Sequence, residues 1–344
     1  MRFRATFVQE NFSIFANVIN ALSRITKTIH ATKEIHDSSR NLEIKLCPSY
    51  ILIRYCNPLC FERVHAYAYF DTKELFSECL IESRHDNIIG ISIDAQGFIL
   101  SVKPGCKAYQ TAVKLAKDEH SRYLSFQFFL LDNKAKCYKI YKNCLIELLP
   151  SRYAETLVPP PNSLTGCCIE LRSLQSIRSV VEQMRHLGAD HLTFKLLPCD
   201  DDDKNNHLND VLNVSTSNQK IYDLQMSTDT DLSTQWVTNH RCVLHTFQES
   251  QQEDLFESTP NKHASHIDAD IFSSQTYLIK NLHQLLQLGS ALSYEFVLLK
   301  FISDQCLIVT FPLLRVRLIS HNLHTFCFFR KDTTRSCYLR HFKS

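Results

Sequence analysis

Cys47, Cys56, Cys60 and His65 are the residues whose types best suit thiol-metal chemistry. Thiolates and imidazoles hold zinc tetrahedrally when close ligand pairs fix the geometry. The nearest approach here is Cys56-x-x-x-Cys60, and none of the fourteen cysteines forms a Cys-x-x-Cys pair. Cysteines scattered along apolar strands are expected to be small buried hydrophobes in a reducing compartment. The sequons at Asn11 and Asn213 then receive no glycan. The acidic run Asp200–Asp203, beside Lys204, Asn205 and Asn206, reads as a solvated loop rather than a metal cage. Six glycines make no dinucleotide fingerprint or phosphate loop, and no nucleophile elbow or His-Glu-x-x-His is present. The sequence predicts no enzyme and no cofactor; a thiol-metal protein or enzyme on these four residues is the remote alternative.

The second chemistry is phosphate recognition. Apolar stripes at helical spacing predict helices over Asn11–Lys27, Ala95–Lys107, Leu171–His186 and Ser273–Gly289. Their bases are Arg24, Lys27, Lys103, Lys107, Arg172, Arg178, Arg185 and Lys280, against the single acid Glu182. Because the whole chain is only +2, the remainder must be net negative. Arg24 and Lys27 project away from the stripe of Phe15, Leu22 and Ile25, and Lys280 lies opposite Leu278, Leu282 and Leu285. Arg178 and Arg185 share one edge beside Leu174, Ile177, Val181 and Met184. Amphipathic helices often show Lys and Arg to solvent, but four helices almost without acids ask for more. With no aromatic interleaving, such faces suit weak, salt-sensitive contact with duplex phosphates.

Those helices recur in one pattern. A strand, a helix and further strands occur four times, at intervals of roughly 80 to 100 residues. The units begin at Phe3–Gln9, Ile88–Ile93, Cys167 and Asp268–Phe272, and Asp94 is placed to cap the second helix. The three consecutive prolines in Leu148–Gly166 form a stiff connector that leaves two units on each side. The expected organisation is a first domain over 1–149, a Pro-rich connector over 150–166, a second domain over 167–330, and a basic tail over 331–344. Loops are expected at 199–210 and 248–266. The fold class is α+β, with helices on one face of antiparallel sheets in two similar domains. The longest charge-poor stretch, Tyr123–Leu131, is about half of a bilayer span, and no signal peptide is recognised, so a soluble protein with no membrane partner is expected.

At this level the chain resembles the sliding DNA clamps, and within them the Hus subunits of the heterotrimeric checkpoint clamp, the nine-one-one complex. The resemblance rests on "MRFRATFV" with the following helix ending "SRITK", on "IELLPSRYAETLVPPP", and most closely on "CCIELRSLQSIRSVVEQMRHLGADHLTFKLL". "DADIFSSQTYLIKNLHQLLQ" fits more loosely, and the chain is longer than is usual, with the excess in the two loops and the tail. The resemblance implies a PCNA-like ring of three different subunits, with helices lining a hole for duplex DNA. It sets Arg24, Lys27, Arg178 and Arg185 near phosphates, while the repeat pattern adds Lys103, Lys107 and Lys280. It also implies two other clamp subunits, a clamp loader, and checkpoint and repair proteins as partners, in the nucleus and also the cytoplasm. A homotrimeric replication clamp is the alternative within the same fold. Candidate edge strands for subunit pairing are Thr111–Lys117, with Thr111, Val113 and Leu115, and Gln235–Val243, with Gln235, Trp236 and Val243. A chain with uncovered edges is predicted to self-associate when purified alone. Light scattering checks this, and a monomer stable for days contradicts it.

Overall fold

The computed structural model describes residues 1–30, 41–56, 65–131, 136–158, 167–172, 174–198, 220–229, 235–245, 275–291, 296–302, 306–312 and 324–330. The first unit holds β1 (Arg2–Phe7), α1 (Gln9–His30), β2 (Asn41–Leu46), β3 (Tyr50–Cys56), β4 (His65–Asp71), α2 (Thr72–Leu75) and β5 (Phe76–Glu82). The second holds β6 (Ile89–Asp94), α3 (Ala95–Val102), β7 (Gln110–Lys117), β8 (Arg122–Leu131) and β9 (Cys137–Leu148). After a short helix, α4 (Ser151–Thr156), the third holds β10 (Cys167–Arg172), α5 (Leu174–His186), β11 (His191–Pro198), β12 (Lys220–Asp229) and β13 (Gln235–His245). The fourth holds β14 (Gln275–Leu278), α6 (Ile279–Ala291), β15 (Phe296–Ile302), β16 (Cys306–Pro312) and β17 (His324–Arg330).

Local chemistry sets the helix ends. The Asp94 carboxylate accepts the Gly97 N–H at 2.5 Å and caps α3, as its position foretold. Pro104 then sits in a 3-10 turn, Lys103–Lys107, that ends this segment. Helix α5 stops at Gly188, where φ is +80°, a conformation that an L side chain would strain. There the Ala189 N–H reaches back to the Met184 carbonyl at 3.2 Å.

All strand pairings among the described residues are antiparallel, and their connectivity swaps strands between neighbouring units. In the first domain the order is β5-β1-β7-β8-β9, joined at a corner to β6-β2-β3-β4. In the second it is β17-β16-β15-β10, joined at a corner to β13-β12-β11-β14. Each unit therefore lends its first strand to its sister's sheet, and neither unit is complete alone. The corners are short: Ile91–Ile93 meet Ile146–Leu148, and Cys168–Glu170 meet Val243–His245. Between the domains, β4 pairs with β17, from His65↔Phe328 to Tyr69↔His324.

The helices cover the apolar side of these sheets. Alternation is plain on β1, where Phe3, Ala5 and Phe7 are buried and Arg2 and Arg4 are exposed. Helix α1 drives Phe12 and Phe15 between strands of both half-sheets, with ring centroids 4.8 Å from Phe7, 5.5 Å from Phe70 and 6.2 Å from Phe128. In the second domain α5 buries Leu174, Ile177, Val181 and Met184, while α6 buries Ile279, Leu282, Leu285 and Leu286. These residues belong with the first domain's core to one continuous apolar cluster.

Several expectations need correction. Arg172 and Leu171 belong to β10, so the third helix starts at Leu174. Leu278 ends a strand, and the fourth helix starts at Ile279 instead of Ser273. The expected strand Asp268–Phe272, both long loops, the three prolines and the tail lie outside the described residues. Before the prolines the chain is helical at α4 and is firmly docked. The buried Lys45 ammonium donates to the Glu155 and Leu157 carbonyls at 3.3 and 3.0 Å. Tyr153 donates to Glu43 at 2.5 Å and accepts from Arg54 at 2.8 Å. Gly90 is needed beneath it, because a side chain there would meet Ala154 Cβ at 2.6 Å.

Lys45→Met keeps the length of the side chain but leaves the two carbonyls without their donor. The expected loss is about 1–3 kcal/mol, seen as a lower urea midpoint; an unchanged midpoint would mean that Lys45 does not anchor the connector.

Candidate nucleic-acid interface

Four helices lie side by side, in the order α3, α1, α6, α5, as their mutual contacts establish. The charge on this layer differs in detail from the sequence expectation. Helix α1 begins early enough to include Glu10, Arg172 has left the layer, and α3 itself carries no charge. The layer, including the 3-10 turn, thus holds seven bases against two acids, Glu10 and Glu182. The excess is smaller than the sequence suggested but keeps its sign.

Arg24 is exposed, as are Lys103 and Lys107 on the 3-10 turn and Lys280 on α6. The Lys27 side chain lies outside the described atoms. Arg178 and Arg185 do share one edge of α5, and that edge faces α6. Arg185 is exposed at its surface yet places Nη1 3.2 Å from Nδ1 of His283. Arg178 is half-buried, with its Nε enclosed and without a hydrogen-bond partner. His283 is 3% exposed and has Gln287 Nε2 at 3.4 Å from its Nε2. Burial holds its pKa below the usual imidazole value, and the neighbouring Arg185 lowers it further, with Arg178 and His186 adding to this and Glu182 opposing. Sequence reasoning missed His283. Its signal was a lone polar residue on the α6 face that otherwise buries Leu282, Leu285 and Leu286.

Strand edges form the second part of the site. The expectation that Thr111, Val113 and Leu115 mark an edge is wrong. Strand β7 is paired on both sides, by β1 and β8, and Thr111 and Val113 are buried. Strand β13, with Gln235, Trp236 and Val243, is paired by β12 along its length but by β10 only from Val243 onward. Its other side is open over Gln235–Cys242 among the described residues. Strand β9, which sequence reasoning passed over, is the counterpart: β8 covers it from Cys137 to Ile146, while β6 touches only Ile146–Leu148. Tyr138, Tyr141 and Leu145 are correspondingly exposed. Lys139 and Lys142 on this strand were the readable sign, since lysines commonly guard open edges.

The thiol-metal alternative gains no geometry. Cys56 and His65 are register partners on β3 and β4, Cys60 lies outside the described residues, and Cys47 is buried, which raises its pKa. Among the described residues no three metal-ligating side chains come together. Cysteine placement is mixed: Cys47, Cys144, Cys168 and Cys242 are buried, whereas Cys79, Cys106 and Cys137 are exposed. No described helix is long and apolar enough to cross a membrane.

The model of the Hus1-like protein family matches residues 1–321. The fold is similar to that of the proliferating cellular nuclear antigen from Entamoeba histolytica, with a TM-score of 0.53 at 12% identity. That similarity covers 96% of this chain and 98% of the other. No curated protein matches by sequence.

His283 and His240 are both held below the ordinary imidazole pKa of 6.5, chiefly by burial. Below that pH the unfolded chain binds protons that the folded chain refuses, so stability falls with pH; above it this contribution is complete. The melting temperature is therefore expected to decline from about pH 6.5 downward, and less so in His283→Asn. Equal pH profiles for the two proteins would contradict this.

Proposed function

The chain belongs to the Hus1-like family of PCNA-like clamps, and we propose that it is one subunit of a heterotrimeric ring that encircles duplex DNA. It acts without catalysis, as part of the DNA damage checkpoint. Two other clamp subunits complete the ring, a clamp loader opens it, and checkpoint and repair proteins dock on it, in the nucleus with a pool in the cytoplasm.

One observation carries this reading. Of the strands β4, β9, β13 and β17, each at the end of a half-sheet, two, β4 and β17, pair with each other inside the chain. The other two, β9 and β13, occupy equivalent places at the two corners and are left open. Antiparallel pairing of β9 with the β13-like edge of a neighbour, and of β13 with a β9-like edge, repeats the internal junction and closes a ring. A different neighbour suits these edges better than a second copy. The open stretch of β9 holds Lys139 and Lys142, that of β13 holds Arg241, and neither holds an acid. Self-pairing would bring cationic strands together, which an acidic partner edge avoids.

The helix layer then faces the hole. Its bases need not bind tightly, because a closed ring stays on DNA by topology, and weak phosphate contacts let it slide. The test is DNA retention by the reconstituted three-subunit complex over a salt series, with Arg24, Lys27, Arg178 and Arg185 all changed to Ala. Each lost phosphate contact should make the slope of log affinity against log salt shallower by about 0.9, with assembly intact. An unchanged slope would make these basic faces ordinary solvated surface, and formation of a ring by this chain alone would favour a homotrimeric replication clamp.

A further inference from the structure

The seam between α5 and α6 contains a polar arrangement that a simple basic surface does not require. Arg185 offers only donors, so a nitrogen that meets it at 3.2 Å must be an acceptor. Nδ1 of His283 is therefore unprotonated, and the neutral ring carries its proton on Nε2. Gln287 lies 3.4 Å from that atom, and a half-turn of its amide presents the oxygen to this proton. His283 is 3% exposed, so its ring is fixed by the packing of both helices. Arg185 is tied at one nitrogen to a rigid acceptor while the rest of its side chain is exposed.

We propose that His283 is a positioning residue for DNA contact: its Nδ1 holds one arm of the Arg185 guanidinium and leaves the remaining donors ready for a phosphate. This rests on the DNA-encircling reading above. The advantage is entropic. A free arginine loses much of its rotamer freedom on meeting a phosphate, whereas a tethered one has lost part of it in advance. Such a tether matters for a contact that must be remade at each step of sliding. It also asks for histidine in its neutral form, because a protonated ring would set two donors against each other.

A merely structural role for His283, filling the helix seam, gives different results in the same reconstituted complex. His283→Leu keeps the bulk and removes the acceptor; His283→Asn returns an acceptor near the position of Nδ1. The Leu variant is expected to weaken DNA retention at fixed salt toward the level of Arg185→Ala while keeping the salt slope, and the Asn variant to restore retention. The double variant Arg185→Ala, His283→Leu should be no worse than Arg185→Ala. Wild-type retention by His283→Leu, or an additive double variant, overturns the positioning role while leaving the ring reading intact. No effect from Arg185→Ala removes the phosphate contact and this inference with it, and the quadruple variant still judges the ring reading separately. If His283→Leu does not assemble, nitrogen NMR of histidine-labelled wild-type protein decides. A neutral ring protonated at Nε2 is expected, and a proton on Nδ1 overturns the assignment.

Discussion

The structure depends on one constraint: each backbone N–H and C=O at the rim of an open sheet needs a partner. The chain meets this need by exchange. Strand β1 pairs with β7 as well as with β5 of its own unit, β6 pairs with β2, β10 with β15, and β14 with β11. Every unit is thus satisfied only in the company of its sister, which is why the domain contains two units and not one. The same need, carried one level up, joins β4 to β17 and leaves β9 and β13 facing outward.

Much of this was legible from periodicity. The four helices, the cap at Asp94 and the stripe on α5 follow from local spacing, as does the stripe on α6 apart from Leu278. What was not legible is the pairing between distant strands. Strand β7 looks like an edge because Lys114 and Lys117 alternate with apolar residues, yet long-range pairing buries it. Strand β9 carries Lys139 and Lys142 as a sign of an open edge, but its long-range pairing is what shows that one side is free along most of its length. Arg172 was misplaced for a related reason, since an arginine at the end of β10 has the same local setting as one at the start of a helix. His283 is invisible to a reading that treats each helix alone, because its role comes from α5.

The helix layer and the connector show two uses of charge in one fold. On the layer, cations stand mostly exposed, where each alone contributes little and many together create a field. At α4 the opposite holds. Lys45 is buried and bonded to two carbonyls, and Arg54, Glu43 and Tyr153 close a compact hydrogen-bonded set. Charge there fixes α4 against β2 and β3.

The junction of β4 with β17 has a consequence for synthesis. Strand β4 ends at Asp71, and its partner, β17, begins at His324. A ribosome must therefore complete about 250 further residues before this aromatic strand, "HAYAYFD", is covered by its own chain. Contacts so distant form late, and an uncovered strand is prone to wrong pairing in the interval. The nascent N-terminal half is thus the stage at which this protein has most to gain from a chaperone.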